Sequence, residues 1–131
     1  MTIEYVAGFF DGEGSITTAG SGRSQNVQCC VTNTNKEILD LFQSIYGGHV
    51  YARKSKNINA KQAYGWHLYK NDDFLELILP HLFLKKKQCE LAIKYRKLVK
   101  NNLGPVKIDK KVKEERDQIA KEIHYLNKRG K

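Results

Sequence analysis

The sequence predicts an α+β fold: a four-stranded antiparallel sheet with all its helices on one face. Three observations predict it. The chain opens with a helical segment that is apolar on every side, Tyr5-Val6-Ala7 and Phe9-Phe10. Two pairs of strand-like segments follow, one around Gly20-Ser21-Gly22-Arg23 and one joined by the polar stretch Lys54 to Lys61. Each pair is succeeded by apolar residues at helical spacing, so the element order is αββαββαα with one further helix.

Thr2 is a suitable N-cap for the first helix, with Glu4 favourably placed at the positive end of its dipole. A helix without a polar stripe must be covered on more than one side. Gly8 and Gly12 lie four apart and share a face with Tyr5, leaving a strip where a second backbone can come close. The Gly12/Gly14 pair is expected to end the helix near Asp11 and to leave Glu13 at its foot. Taken alone, Asp11-Gly12-Glu13-Gly14 also reads as a plain helix stop and turn. A calcium loop counted from Asp11 fails, because Ile16 and Gly22 stand where Gly and Glu are required.

Ser15 to Ala19 and Gln25 to Thr34 are the first two strands, and Val27, Cys29 and Val31 alternate with Gln28, Cys30 and Thr32 to give one wet face. Asn35 caps a helix carrying Ile38, Leu41, Phe42 and Ile45, stopped by Gly47-Gly48. His49 to Arg53 and Gln62 to Tyr69 are the second strand pair. Tyr64, Trp66 and Leu68 share the core parity, which turns His67 and Tyr69 the other way. Asn71 is expected to cap a helix with Phe74, Leu75 and Ile78 that runs up to Pro80. The next helix, from about Leu84 to Val99, has the stripe Leu84, Gln88, Leu91, Tyr95 and Leu98, with lysines crowding its start and outer faces. After a break at Asn101 to Pro105, a last amphipathic helix carries Ile108, Val112, Ile119, Ile123 and Leu126, and the tail through Lys131 is expected to fray. The expected organisation is one domain over 1–131, with a core to about residue 100 and a helical extension over 106–127.

With 131 residues, 40% of them hydrophobic, the chain can build a real core, and its net charge of +9 suits a polyanionic partner rather than a small-molecule substrate. Charge alone does not choose between DNA, RNA and an acidic membrane. Asp109, Glu114, Glu115, Asp117 and Glu122 in the last helix weigh against the membrane. Cys29, Cys30 and Cys89 form neither an even disulfide framework nor a CxxC pair, and His49, His67, His81 and His124 have no zinc-ligand spacing. With no secretory layout at the N-terminus, an intracellular protein with reduced cysteines is expected.

Val6 to Gly14 resembles the nine-residue LAGLIDADG motif of homing endonucleases, and the order of elements over the first hundred residues is similar to that family's single-motif members. The resemblance implies a curved saddle sheet whose bare face lies along the DNA major groove, and two subunits packed through their motif helices at Tyr5, Gly8 and Gly12. It implies that Glu13 and the Gly12 carbonyl bind a catalytic divalent cation, Mg2+ or another, beside the scissile phosphate. It places a basic residue after the Pro80 and Leu landmarks, at Lys85, with Lys86 and Lys87 within one register slip. It also puts Asn33 where a water-holding Gln usually stands, although Asn33 could equally serve the turn before the helix. On shared strand parity the expected DNA-binding residues are Thr17, Arg23, Ser24, Asn26, Gln28 and Thr32 from the first strand pair, and Tyr51, Arg53, His67 and Tyr69 from the second.

Phosphodiester cleavage through two cations needs converging carboxylates, and one chain offers one well-placed acid. A homodimer follows from that chemistry as well as from the resemblance, and with it a double-strand cut in a long, roughly palindromic site. The competing expectation is a non-cleaving nucleic-acid-binding protein on the same scaffold, either an intron RNA maturase or a transcription regulator.

Overall fold

A computed structural model describes residues 1–20, 25–54, 57, 59–100 and 110–129. Its elements are α1 (Ile3–Glu13), β1 (Gly14–Ala19), β2 (Asn26–Asn33), α2 (Lys36–Tyr46), β3 (His49–Ala52), β4 (Tyr64–Leu68), α3 (Asp72–Ile78), a 3-10 turn (Leu79–His81), α4 (Lys86–Lys100) and α5 (Lys110–Arg129). Arg23, Ser24, Ile108, the break at 101–105 and the end of the tail lie outside the described residues.

The four strands form one antiparallel sheet in the order β1-β2-β4-β3. Its pairing puts Ile16 opposite Cys29, Cys29 opposite Leu68, and Val31 opposite Trp66. These side chains share one face and are buried there with Phe10, Phe42, Phe74 and Tyr95 from the helices. Phe42 meets Trp66 edge-on at 5.2 Å between ring centroids, and Phe10 meets Phe74 likewise at 5.4 Å. The expected α+β architecture is therefore present, with the inward and outward sides of β2 and β4 as read from the sequence and the register of β4 set by its pairing with β2 and β3.

The local signals act as expected at two helix ends. Thr2 Oγ1 accepts from the Tyr5 N–H at 3.2 Å, and Asn35 Oδ1 accepts from the Ile38 N–H at 3.3 Å. Gly47 closes α2 at φ +83°, where a side chain would be strained.

Four expectations are corrected. First, α1 does not stop near Asp11 but runs through Glu13, and the Gly14 N–H donates to the Phe10 carbonyl. Gly14 already belongs to β1, and a Cβ there would sit 2.4 Å from the Phe10 ring, so close packing demands glycine where the backbone angle does not. Second, Asn71 does not cap α3. Its side-chain amide is fully buried and donates to the Val27 and Leu68 carbonyls at 3.0 and 3.1 Å, tying together the ends of β2 and β4. Third, Leu84 lies ahead of α4 and is 69% exposed, because the backbone around it is held elsewhere. Fourth, α2 buries Leu39 and Phe42 while Leu41 and Ile45 face outward, a rotation of the expected stripe toward the sheet.

The last helix packs against α4 and along the free edge of β1. Asn127 Nδ2 donates to the outward Ile16 carbonyl at 2.8 Å and so covers part of an open sheet edge. Arg116 is only 4% exposed: its Nη2 donates to the Gln25 carbonyl at 2.8 Å and to Tyr95 Oη at 3.3 Å, with the guanidinium over the Tyr95 ring. From the sequence, Arg116 reads as one more surface cation.

Candidate active site and nucleic-acid face

At the foot of α1 the motif's two acids point to different tasks. Glu13 is exposed. Asp11 is 8% exposed, and its carboxylate accepts from three consecutive backbone N–H groups, those of Phe83, Leu84 and Lys85, at 2.8–3.0 Å. Burial alone would raise its pKa, but those three donors and the nearby Lys85 charge outweigh the desolvation and hold the group below the ordinary carboxylate value. Asp11 thus fixes the 83–85 segment that leads into α4 by accepting from N–H groups ahead of the helix.

That segment carries Lys85, whose Nζ donates to the Asp11 carbonyl. Lys85 is half-buried, whereas Lys86 and Lys87 are exposed. Desolvation lowers the Lys85 pKa, against the opposing pull of Asp11 and Glu13, which favour the charged form. Lys85 thus separates from its two neighbours by burial and by the company of both motif acids.

Asp11, Gly12, Gly14, Lys85, Gln88 and Asn127 line a cleft of about 490 Å³ beside the end of α1. Gln88 comes from one turn inside α4 and Asn127 from the end of α5. Glutamine in an apolar stripe was the available hint for Gln88; nothing local marks Asn127. Asn33, at the end of β2, uses its Oδ1 to accept from the Asn35 N–H at 2.8 Å, the turn-forming alternative.

Along α1, Val6, Ala7 and Phe10 are buried against the chain's own core. On the other side Tyr5 is 52% exposed, and a Cβ built on Gly8 or on Gly12 would meet nothing within 4 Å. The apolar helix is therefore covered on one side only within a single chain. Phe83 and Leu84, 88% and 69% exposed beside Asp11, add apolar surface near the same helix end.

The other face of the sheet lies away from the apolar core. Register places Thr17 with Gln28, Cys30 with His67, His49 with His67, and Thr32 and Tyr51 with Gly65 on that side. Asn26 shares this parity, Arg53 follows β3 with an exposed side chain, and Tyr69 follows β4 at 55% exposure. His67 is bonded at both ring nitrogens: Gln28 Nε2 lies 2.5 Å from Nδ1, and Tyr51 Oη lies 2.7 Å from Nε2. Burial lowers the His67 pKa, with His49 and Arg53 adding to the effect, so the ring is neutral near pH 7. Gln28, 8% exposed, is thus partly engaged within the protein, which its sequence position does not reveal.

This geometry matches solved structures. The homing endonuclease I-CvuI in complex with its target superposes with a TM-score of 0.73 at 24% identity, over 95% of this chain and 80% of that one. The archaeal intron-encoded homing endonuclease I-Vdi141I, complexed with DNA, gives a TM-score of 0.77 at 17% identity, over 95% and 82%. The fold is that of the LAGLIDADG homing endonucleases. I-SmaMI bound to uncleaved DNA matches at a TM-score of 0.72 and 18% identity over 95% of this chain but 45% of its own length. No protein-family model and no curated protein sequence matches the chain.

Proposed function

We propose that this LAGLIDADG-fold chain is a site-specific DNA endonuclease, a single domain that acts as a homodimer and requires a divalent cation. The observation that carries the reading is the exposed Glu13 carboxylate at the end of a helix whose glycine strip lies open, beside the half-buried Lys85. The neighbours I-CvuI and I-Vdi141I are described as complexes with DNA, which supports a duplex as the partner.

Carboxylate and carbonyl oxygens are the hard donors that Mg2+ or Ca2+ takes, and Glu13 with the Gly12 carbonyl from the last helical turn fits that requirement. Among the described residues no three His, Cys, Asp or Glu side chains gather as a metal cage. A second copy docked on the Tyr5/Gly8/Gly12 strip would bring its own glutamate alongside. When bound, the cation supplies charge to the attacking and leaving oxygens of the phosphate.

The remaining work falls to this chain's own groups. Asp11 holds the 83–85 backbone through its carboxylate and orients the Lys85 ammonium through its carbonyl, so the cation is preset rather than recruited. Exposed Phe83 and Leu84 would be covered together with the glycine strip. The open sheet face would lie on the duplex, its polar side chains reading bases and its net basic chain offsetting phosphate charge.

The test is cleavage of a randomised duplex library in magnesium by the native chain and by Glu13→Gln. The expected result is paired double-strand ends from the native protein, their loss in Glu13→Gln and in EDTA, and retained binding by the variant. Cleavage that persists in Glu13→Gln overturns the reading, and binding without cleavage by the native protein supports the non-cleaving alternative.

A further inference from the structure

The geometry points to Gly65, Tyr51, His67 and Gln28 as one preset base-reading unit, in which Gly65 is a positioning residue and the Tyr51 hydroxyl rejects cytosine. The inference rests on the DNA-binding reading above and deepens it by naming what one part of the sheet face recognises.

The unit spans three strands. Tyr51 of β3 stands opposite Gly65 of β4, and a Cβ on Gly65 would lie 2.4 Å from the Tyr51 ring carbon that bears the hydroxyl. The phenol end of the ring therefore occupies the space over the glycine, and any side chain there would displace it. From that seat Tyr51 Oη reaches His67 Nε2 at 2.7 Å, and His67 Nδ1 faces Gln28 Nε2 of β2 at 2.5 Å. A reader assembled in this way loses little side-chain freedom on binding.

Hydrogen-bond polarity then sets what the unit can read. The Gln28 amide nitrogen can only donate, so His67 Nδ1 accepts and the single proton of the neutral ring sits on Nε2. That proton is donated to Tyr51 Oη, which leaves the phenolic O–H to donate outward from the sheet. In the major groove guanine, adenine and thymine each offer an acceptor to such a donor, whereas the polar edge of cytosine is an amino donor. The position read by Tyr51 is consequently one at which cytosine is disfavoured, once in each half of a palindromic site.

The experiment uses the full chain and a randomised duplex library, with bound and cut molecules sequenced separately for the native protein, Tyr51→Phe and Gly65→Ala. Native protein is expected to disfavour cytosine at one position per half-site by about tenfold. Tyr51→Phe and Gly65→Ala are each expected to bring that discrimination to within about twofold while preferences elsewhere in the site persist. A substitution that merely loosened the fold would weaken every position alike, so change at one position is the signature of the unit.

Tyr51→Phe that still rejects cytosine overturns the proposal. So does a native preference for cytosine at that position, which would mean that Gln28 turns its oxygen to His67. An unchanged profile in Gly65→Ala, with Tyr51→Phe altered, overturns the seating role. Native protein that neither binds nor cuts any duplex removes both this inference and the nuclease reading, whereas binding or cutting without the cytosine gap removes this inference alone.

Discussion

The foot of α1 and the open face of the sheet are both polar, but they are held in opposite ways. At the foot of α1 the contacts are to backbone: Asp11 takes the N–H groups of 83–85, and Lys85 returns to the Asp11 carbonyl. On the sheet face they are between side chains, as in the run from Tyr51 through His67 to Gln28. Backbone contacts cannot be exchanged by substitution at the far end, so the first region is rigid in composition as well as in shape. The second is joined through side chains, so substitution can rewrite it without disturbing the backbone pairing of the strands beneath it.

With Glu13 left intact, the largest effect should come from Lys85. In a cleavage assay on a selected duplex, Lys85→Met is expected to lower kcat by about a hundredfold or more, by removing a preset cation in a partly desolvated site. Lys86→Met and Lys87→Met, both exposed, should stay within about threefold. Equal losses at all three positions would reduce the cluster to a diffuse basic surface.

Asp11→Ala should be the most damaging of these changes to the fold. It strands three backbone donors near the start of α4, and urea unfolding is expected to show a loss of about 3 kcal/mol. A loss as small as that of a surface substitution would break the contrast between the two regions.

A smaller effect concerns the mantle of helices. Asp72 accepts from Arg96 at 2.9 and 3.0 Å and faces Lys100 at 3.5 Å, and the Arg96 hydrogen bonds, outweighing desolvation, lower its pKa from 3.8. A depressed carboxylate stabilises the fold above its unfolded pKa, and that contribution is lost as pH falls through the folded value. Thermal melts should therefore show a drop below about pH 4 that is shallower in Asp72→Asn, with about 1 kcal/mol at stake for a partly exposed pair.

The smallest stability effects belong to the open face. Thr17→Ala and Tyr69→Phe are expected to change unfolding free energy by less than about 0.5 kcal/mol while altering DNA binding. Melting curves measured beside filter binding would check both halves, and destabilisation comparable to Asp11→Ala would mean that this face is structural after all.

Much of this was legible in the chain itself. Thr2, Asn35 and Gly47 act through neighbours a few residues away, so their roles can be read locally. The parity of β2 and β4 was readable because one face is buried, and a one-residue slip would turn Val27, Cys29, Val31, Trp66 and Leu68 outward. Asn71 misled because an Asn before a helix carries the same signal whether its amide caps the helix or crosses to another strand. The rotated stripe of α2 misled because periodicity defines a face only to within a neighbouring residue or two.

The residue pattern by itself determined the order of helices and strands, the bare strip at Gly8 and Gly12, and the place of Glu13 at the foot of an apolar helix. Local propensity and hydrophobic period act over a few residues and can be read over a few residues. Tertiary structure alone decided that Asp11 grips the backbone of 83–85, that Lys85 is the half-buried one among three lysines, that Arg116 is interior, and that Gly65 gives Tyr51 its seat. Each of these joins groups separated along the chain, and only the closed sheet and its packed helices bring them within hydrogen-bonding or van der Waals reach.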